Sequence, residues 1–139
     1  MQQTITALLV HDRPEPMGFI RRALEAQDIK TRSVRTCREA HEILWGHDSP
    51  HLVLVDPLLP DGSWDDIVVS AAAAPSRANV IVVSDVVDMA LYLESVQRGA
   101  FDFIVPPMSM PDFTYVVRSS VANALQRRES SVQSPQPRS

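Results

Sequence analysis

Five strand-like segments alternate along the chain with segments whose apolar residues recur every three or four positions. Continuous apolar runs are typical of strands covered on both faces, and the three-to-four spacing is typical of helices with one buried face. This alternation predicts a parallel sheet with helices on both faces. The second segment alternates apolar and polar residues, which predicts a strand at the sheet edge. The predicted strands are Thr4–Val10, Ile29–Val34, His51–Val55, Asn79–Val83 and Phe101–Val105.

The predicted helices carry recognisable start and stop signals. Prolines precede the first, and Thr36 with Glu39 three residues later forms a capping-box pattern for the second. Pro75 ends the third helix, and Gly99 is a typical stop for the fourth. We therefore expect helices over Pro16–Gln27, from Thr36 through Leu44, and over Trp64–Ala74, Val87–Arg98 and Pro111–Arg127.

The end of the chain is predicted to lie outside the folded domain. Residues 128–139 contain one valine, two prolines and otherwise only polar residues, so we expect a disordered tail or linker there. The remaining residues, 1–127, are enough for one domain with its own core, given a hydrophobic content of 45% over 139 residues.

Composition narrows the functional classes. A net charge of −4 argues against a nucleic-acid-binding surface, and the apolar stretches are too short to span a bilayer. Cys37 is the single cysteine and cannot form an internal disulfide, which indicates a cytoplasmic protein. All basic side chains but Lys30 are arginines. With four glycines and no glycine-rich loop after the first strand, a nucleotide-binding enzyme is poorly supported.

Three predicted strands end on polar side chains. His11 and Asp12 follow the first strand, Asp56 the third, and Ser84 and Asp85 the fourth. Ligands of open parallel sheets bind outside the carboxyl ends of the strands. We therefore expect Asp12, Asp56 and Ser84 to meet in one cleft.

Four segments in order resemble the receiver domain of two-component response regulators. The segment LLVHD resembles the acidic pair after the first strand, and LVLVDPLLPDG resembles the phosphoacceptor strand with its loop. VIVVSD resembles the switch-hydroxyl segment, and RGAFDFIVPP resembles the segment that carries the switch aromatic. The resemblance covers about residues 4–127. It implies a flavodoxin-like (βα)5 fold with a doubly wound, five-stranded parallel sheet in the order 2-1-3-4-5.

The resemblance assigns a role to each residue of the cleft. Asp56 would accept a phosphoryl group by in-line transfer from a histidine kinase or phosphotransfer protein. Mg²⁺ would be held by Asp12, Asp56 and the backbone carbonyl of Leu58. Ser84 and Phe103 would be the switch residues.

The same resemblance implies how such a signal would leave the domain. The surface formed by the fourth helix, fifth strand and fifth helix would change on phosphorylation and could support a homodimer. We expect a phosphoacceptor module rather than an enzyme, with at most self-phosphorylation and self-dephosphorylation. Direct contact with nucleic acid or with a membrane is not expected.

Two positions depart from the family pattern. Pro106 stands where the family has a lysine that contacts the phosphoryl group, and His11 stands at the first position of the acidic pair. Loss of the ammonium removes a charge-assisted contact of about 1.5–3 kcal/mol. Both departures favour an alternative function, that of a degenerate pseudo-receiver acting as a phosphorylation-independent interaction module.

The cleft residues also have purely structural interpretations. Asp12 could be an acid stabilised by a helix dipole, and Asp56 could simply begin a loop. Ser84 could be a turn residue, and Phe103 a core aromatic. Asp85 is expected to cap the following helix, although near a phosphoryl group its charge would be unfavourable.

Two further residues near the cleft leave alternatives open. His11 could serve as a tolerated variant of the acid or could hydrogen-bond to a neighbour as an ordinary polar residue at a strand end. Arg13 could reach the pocket as a replacement cation or lie solvated where the first helix begins.

Overall fold

In the computed structural model, which describes residues 4–133, five parallel strands lie in the order β2-β1-β3-β4-β5. This confirms the predicted fold class and places the alternating strand β2 at an edge. In chain order, the elements are β1 (Thr6–Val10), α1 (Met17–Glu25), β2 (Lys30–Val34), α2 (Cys37–Leu44), β3 (Leu52–Val55), α3 (Trp64–Ala73), β4 (Asn79–Val83), α4 (Met89–Gln97), β5 (Asp102–Ile104) and α5 (Met110–Gln133).

Two apolar clusters cover the two faces of the sheet. Successive strand residues point to opposite faces, so Leu8 packs with α2 and α3 while Leu9 packs with α1 and α5. All residues of β3 and β4 are buried, as expected for central strands covered on both sides. Within the described residues, no helix is long and apolar enough to cross a bilayer.

The strand register aligns the carboxyl ends of four strands. Val10 of β1 pairs with Val34 of β2 and with Val55 of β3. Val55 pairs in turn with Val82 of β4. The residues that follow these strands therefore leave the sheet at one edge, which is where the polar strand ends were predicted to meet.

Helix α4 begins later than predicted. It starts at Met89 rather than Val87, because Asp88 is its N-cap and accepts a hydrogen bond from the Leu91 amide at 3.0 Å. The prediction that Asp85 caps this helix is wrong. The predicted stop is confirmed, since α4 ends next to Gly99, whose φ of 109° is accessible to glycine without strain.

Helix α5 extends beyond its predicted end at Arg127. It continues to Gln133, so residues 128–133 are helical rather than part of a disordered tail. Arg128 donates hydrogen bonds to the carbonyl oxygens of Ser76 and Pro50, and Arg127 donates to the side chain of Asn79 at 2.8 Å. These contacts tie the helix to the loops at the amino ends of the strands. The remainder of the predicted tail, residues 134–139, lies outside the described residues.

The loop after β3 contains a short antiparallel pairing of Leu58–Leu59 with Gly62–Ser63. Asp61 between them accepts hydrogen bonds from the backbone amides of Cys37 and Arg38 at 2.7 and 3.1 Å. The first turn of α2 therefore holds this loop in place beside the carboxyl ends of the strands.

Candidate functional site

Asp56 continues β3 by one residue at the centre of this edge. Its amide donates to the Val10 carbonyl at 3.0 Å, which fixes its backbone in the sheet. The residue is only 2% exposed, and its Oδ1 atom is buried with no hydrogen-bond partner in the described part of the chain. Burial raises the pKa of Asp56 to about 6; the charge of Arg13 opposes this shift, and the charges of Asp85 and Asp12 add to it. A buried carboxyl group with a perturbed pKa is typical of a functional site.

Asp12 lies close enough for its charge to act on Asp56, but its carboxylate also has a partner. Its Oδ1 accepts hydrogen bonds from Nε and Nη2 of Arg35 at 3.0 and 2.7 Å. Arg35 follows β2, and the pairing of β2 with β1 brings it next to Asp12. Both side chains are substantially exposed, so the ion pair contributes little to stability and can exchange.

Arg13 and Asp85 form an ion pair between the β1 and β4 strand ends. An Nη1 atom of Arg13 lies 3.5 Å from Oδ2 of Asp85, with both side chains more than half exposed. Asp85 is thus an ion-pair partner rather than a helix cap.

The hydroxyl group of Ser84 is engaged in a local turn. It donates to the Val86 carbonyl at 2.8 Å and accepts from the Val86 amide at 3.2 Å. Ser84 is therefore buried at the predicted strand end. Its hydrogen bonds with the Val86 backbone are of the kind that serine often makes in turns.

His11 is also used locally. Its Nδ1 lies 2.6 Å from the Arg13 carbonyl oxygen, which can only accept, so Nδ1 carries the hydrogen. Its Nε2 is buried without a hydrogen-bond partner among the described residues. The interpretation of His11 as a polar strand-end residue bonded to a neighbour agrees with this geometry.

The positions after β5 lack a cation. Pro106 is buried and precedes Pro107 through a cis peptide bond. Lys30 starts β2 and so lies at the opposite end of the strands from Asp56. Phe103 is partly buried in β5, and its ring contacts that of Tyr92 edge to face at 5.9 Å. This contact joins β5 to α4.

A cavity of about 830 Å³ opens between these strand ends, the loop after β3 and α4. Its polar lining comes largely from the ends of β1 and β4, and its apolar wall comes from the loop after β3 and from helices α3 and α4. The lining residues include Asp12, Arg13, Ser84, Asp85, Leu58, Trp64 and Leu91. Asp12 and Ser84 therefore line the same cavity, whereas Asp56 is buried and is not among the lining residues.

The oxygen donors at this edge fit a minimal magnesium site. Mg²⁺ is usually bound through one or two carboxylates with water completing its shell. Asp12, Asp56 and the Leu58 carbonyl would supply the protein ligands, and no described residue donates a hydrogen bond to Oδ1 of Asp56. Within residues 4–133, no three His, Cys, Asp or Glu side chains are grouped to hold a metal ion, so the Leu58 carbonyl and water would have to complete the shell. Asp12 would also have to release Arg35 before it could bind the cation.

The sequence did not predict which residues form hydrogen bonds with the polar side chains of the site. Arg35 was missed, although the predicted strand order places the end of β2 beside the end of β1. Val86 was missed as the partner of Ser84, because a backbone partner leaves no signature in residue type. Asp88 was missed as the cap of α4 because Asp85 offered an equally suitable side chain.

Comparison with known proteins agrees with this architecture. A family model described as the response regulator receiver domain matches residues 7–132. The response regulator protein PilR of Pseudomonas aeruginosa is 30% identical over 122 residues, which are 88% of this chain and 26% of that protein. The chain thus spans about a quarter of the length of this curated relative.

Solved structures show the same fold at lower identity. The signal receiver domain of a putative LuxO repressor protein from Vibrio parahaemolyticus superposes with a TM-score of 0.79 at 22% identity, covering 96% of this chain and 100% of that one. A CheY-like response regulator receiver domain protein from Methanospirillum hungatei gives a TM-score of 0.74 at 17% identity, covering 90% and 99%. This chain belongs to the receiver domain family of two-component response regulators.

Proposed function

We propose that this receiver domain accepts a phosphoryl group on Asp56 from a histidine kinase or phosphotransfer protein in the cytoplasm. The observation that carries the proposal is the position of Asp56 at the carboxyl end of the central strand, with no hydrogen-bond partner for Oδ1 among residues 4–133. No hydrogen bond from the described residues has to be broken before this carboxylate oxygen can form a bond to phosphorus.

The transfer requires an ionised Asp56. With a pKa of about 6, the carboxyl group is mostly ionised at neutral pH. One carboxylate oxygen forms a bond to phosphorus while the bond from phosphorus to the donor breaks, and the donor keeps the electron pair. No proton moves at Asp56 in this step. When bound, Mg²⁺ would neutralise charge on the phosphoryl oxygens.

The proposed output surface is formed by α4, β5 and α5. Helix α4 fully buries only Ser95, and Met89 and Leu93 are exposed on it. Tyr115 of α5 is 74% exposed. Because Phe103 contacts Tyr92, a shift of β5 on phosphorylation would reach α4 directly. We propose that this surface binds partners or a second copy of the domain.

Phosphorylation is tested with a small phosphodonor. Wild type is incubated with Mg²⁺ and acetyl phosphate well above the pKa of Asp56, and the product is examined by intact-mass spectrometry and amide NMR. We expect the mass of one phosphoryl group, with shifts at Ser84 and along α4. Asp56→Asn should gain no mass, whereas the matched control Asp48→Asn, at an exposed loop position, should behave as wild type.

A second candidate function is a pseudo-receiver that binds partners without phosphorylation. It is favoured by Pro106 at the lysine position, by the Asp12–Arg35 ion pair and by the engagement of the Ser84 hydroxyl with Val86. A folded wild type that gains no mass and also fails to bind beryllium fluoride would support this function and refute phosphorylation of Asp56. Phosphorylation that persists in Asp56→Asn would show that another residue is the acceptor.

A further inference from the structure

We propose that Arg13 is the cation that binds the phosphoryl group on Asp56, and that it does so by leaving Asp85. This inference rests on the proposed phosphorylation of Asp56. In other receiver domains, a lysine after β5 contacts the phosphoryl group. Here Arg13, which follows β1, would make that contact instead. It also gives Asp85 a role, as the resting partner of that cation.

A phosphoryl group at Asp56 would need a nearby positive charge. The cavity has an apolar wall that includes Leu58, Trp64 and Leu91, so a dianion there would be poorly solvated. Among the described charges that act on Asp56, Arg13 is positive, while Asp85 and Asp12 are negative. Arg35, which donates to Asp12 through Nε and Nη2, is neither among the charges that act on Asp56 nor among the residues that line the cavity. Arg13 is therefore the cation best placed for the task.

Arg13 is free to change partners. Its separation from Asp85 is 3.5 Å, and the two side chains are 61% and 53% exposed, so water competes for both. Its own carbonyl accepts from His11 Nδ1 at 2.6 Å, which holds the backbone at the rim of the cavity while the side chain can rotate. A guanidinium group can also donate two parallel hydrogen bonds to phosphate oxygens.

Asp85 competes with the phosphoryl group for this guanidinium. In the resting state it pairs with Arg13 and lowers the positive potential available to Asp56. After Arg13 leaves, the Asp85 carboxylate is solvated by water, to which about half of its side chain is already exposed. The cost of releasing Asp85 is therefore small compared with the gain of a charge-assisted pair to a dianion.

The inference is tested with beryllium fluoride as a phosphoryl mimic, in the presence of Mg²⁺, with binding followed through the Ser84 amide by NMR. Arg13→Ala should weaken binding by about tenfold to a hundredfold, the range expected for loss of a charge-assisted hydrogen bond. Arg13→Lys should recover part of the affinity, because it restores the charge without the fork of donors. Asp85→Ala should bind more tightly than wild type, because the competitor and its negative charge are both gone.

The matched control is Arg38→Ala, which removes an exposed arginine that pairs with Glu42 at 3.9 Å on α2. It should bind beryllium fluoride as wild type does, and circular dichroism should show that all variants are folded. Wild-type affinity in Arg13→Ala, or weaker binding in Asp85→Ala, overturns the role of Arg13 while leaving phosphorylation of Asp56 intact. Failure of wild type to bind the mimic at all overturns both proposals.

Discussion

Replacing Asp56 with asparagine measures how strongly the fold disfavours a charge at the end of β3. The substitution keeps the shape of the side chain and removes its ionisation. Burial raises the pKa of Asp56 from 3.8 to about 6, so the folded protein binds the proton more tightly than the unfolded chain does. Ionised Asp56 therefore destabilises the fold, and we expect Asp56→Asn to be more stable than wild type at neutral pH.

The expected size of this gain follows from the pKa shift. One pKa unit corresponds to about 1.36 kcal/mol, which gives an upper bound of about 3 kcal/mol for Asp56. Asp56 is only 2% exposed, but the side chains of Arg13, Asp85 and Asp12, whose charges contribute to the shift, are 61%, 53% and 40% exposed, so water screens those charges. We therefore expect a gain in the free energy of unfolding of roughly 1–2 kcal/mol, after discounting for this screening.

The pH dependence gives the prediction its sharpest form. Because the folded pKa lies above the unfolded one, the protonated carboxyl group favours the fold, and that contribution is lost as pH rises from 3.8 through about 6. The advantage of Asp56→Asn should therefore be absent at the acidic end of this window, grow across it and become constant above it.

Urea unfolding across this pH range, followed by circular dichroism, provides the measurement, with Asp48→Asn as the control for removal of an exposed carboxylate. The control should follow wild type throughout. A stability difference between Asp56→Asn and wild type that does not change with pH would refute the reasoning. So would a variant that is less stable than wild type at neutral pH, because ionised Asp56 would then be favourably solvated or paired.

Two further predictions concern the anchoring of α5. Phe113→Ala should lower the free energy of unfolding by about 3–5 kcal/mol in urea titrations, because the ring is fully buried and packs edge to face with Phe19; a loss below 1 kcal/mol would contradict this packing. Arg128→Ala should cost about 1.5–3 kcal/mol by removing hydrogen bonds to Ser76 and Pro50, and should speed amide exchange in the last turns of α5. Unchanged exchange there would show that these contacts do not hold the helix end.

The sheet could be predicted because its strands are short runs of buried residues between clear breaks. β3 and β4 can be predicted from their own residues, without knowledge of the strands they pair with, because every residue in them is apolar apart from Asn79. The length of α5 could not be predicted in this way. Its last turns are held by Arg127 and Arg128, whose partners are about fifty or more residues away in sequence, so local composition gave no sign of them.

In the candidate site, too, the positions of the residues could be predicted but the partners of their side chains could not. The positions of Asp12, Asp56 and Ser84 follow from strand topology, because parallel strands in register deliver their carboxyl ends to one edge. The directions of the side chains depend on the nearest available donors and acceptors. Asp12 meets Arg35 from a neighbouring strand, and Ser84 meets the backbone of Val86. Such choices are made among tertiary neighbours, which a pattern of residue types does not specify.

The charges at this edge explain how the departures from the family pattern compensate one another. Asp12 is paired with Arg35 and Asp85 with Arg13. Of these three carboxylates, Asp56 is the one with no ion-pair partner among the described residues, and it is also the buried one. If Arg13 moves to a phosphoryl group on Asp56, the unpaired carboxylate becomes Asp85. The acyl phosphate is a dianion, and Arg13 would compensate one of its two charges, while Asp85, which loses its partner, is already exposed to water. Pro106 can then replace a lysine because the compensating cation comes from the neighbouring strand end.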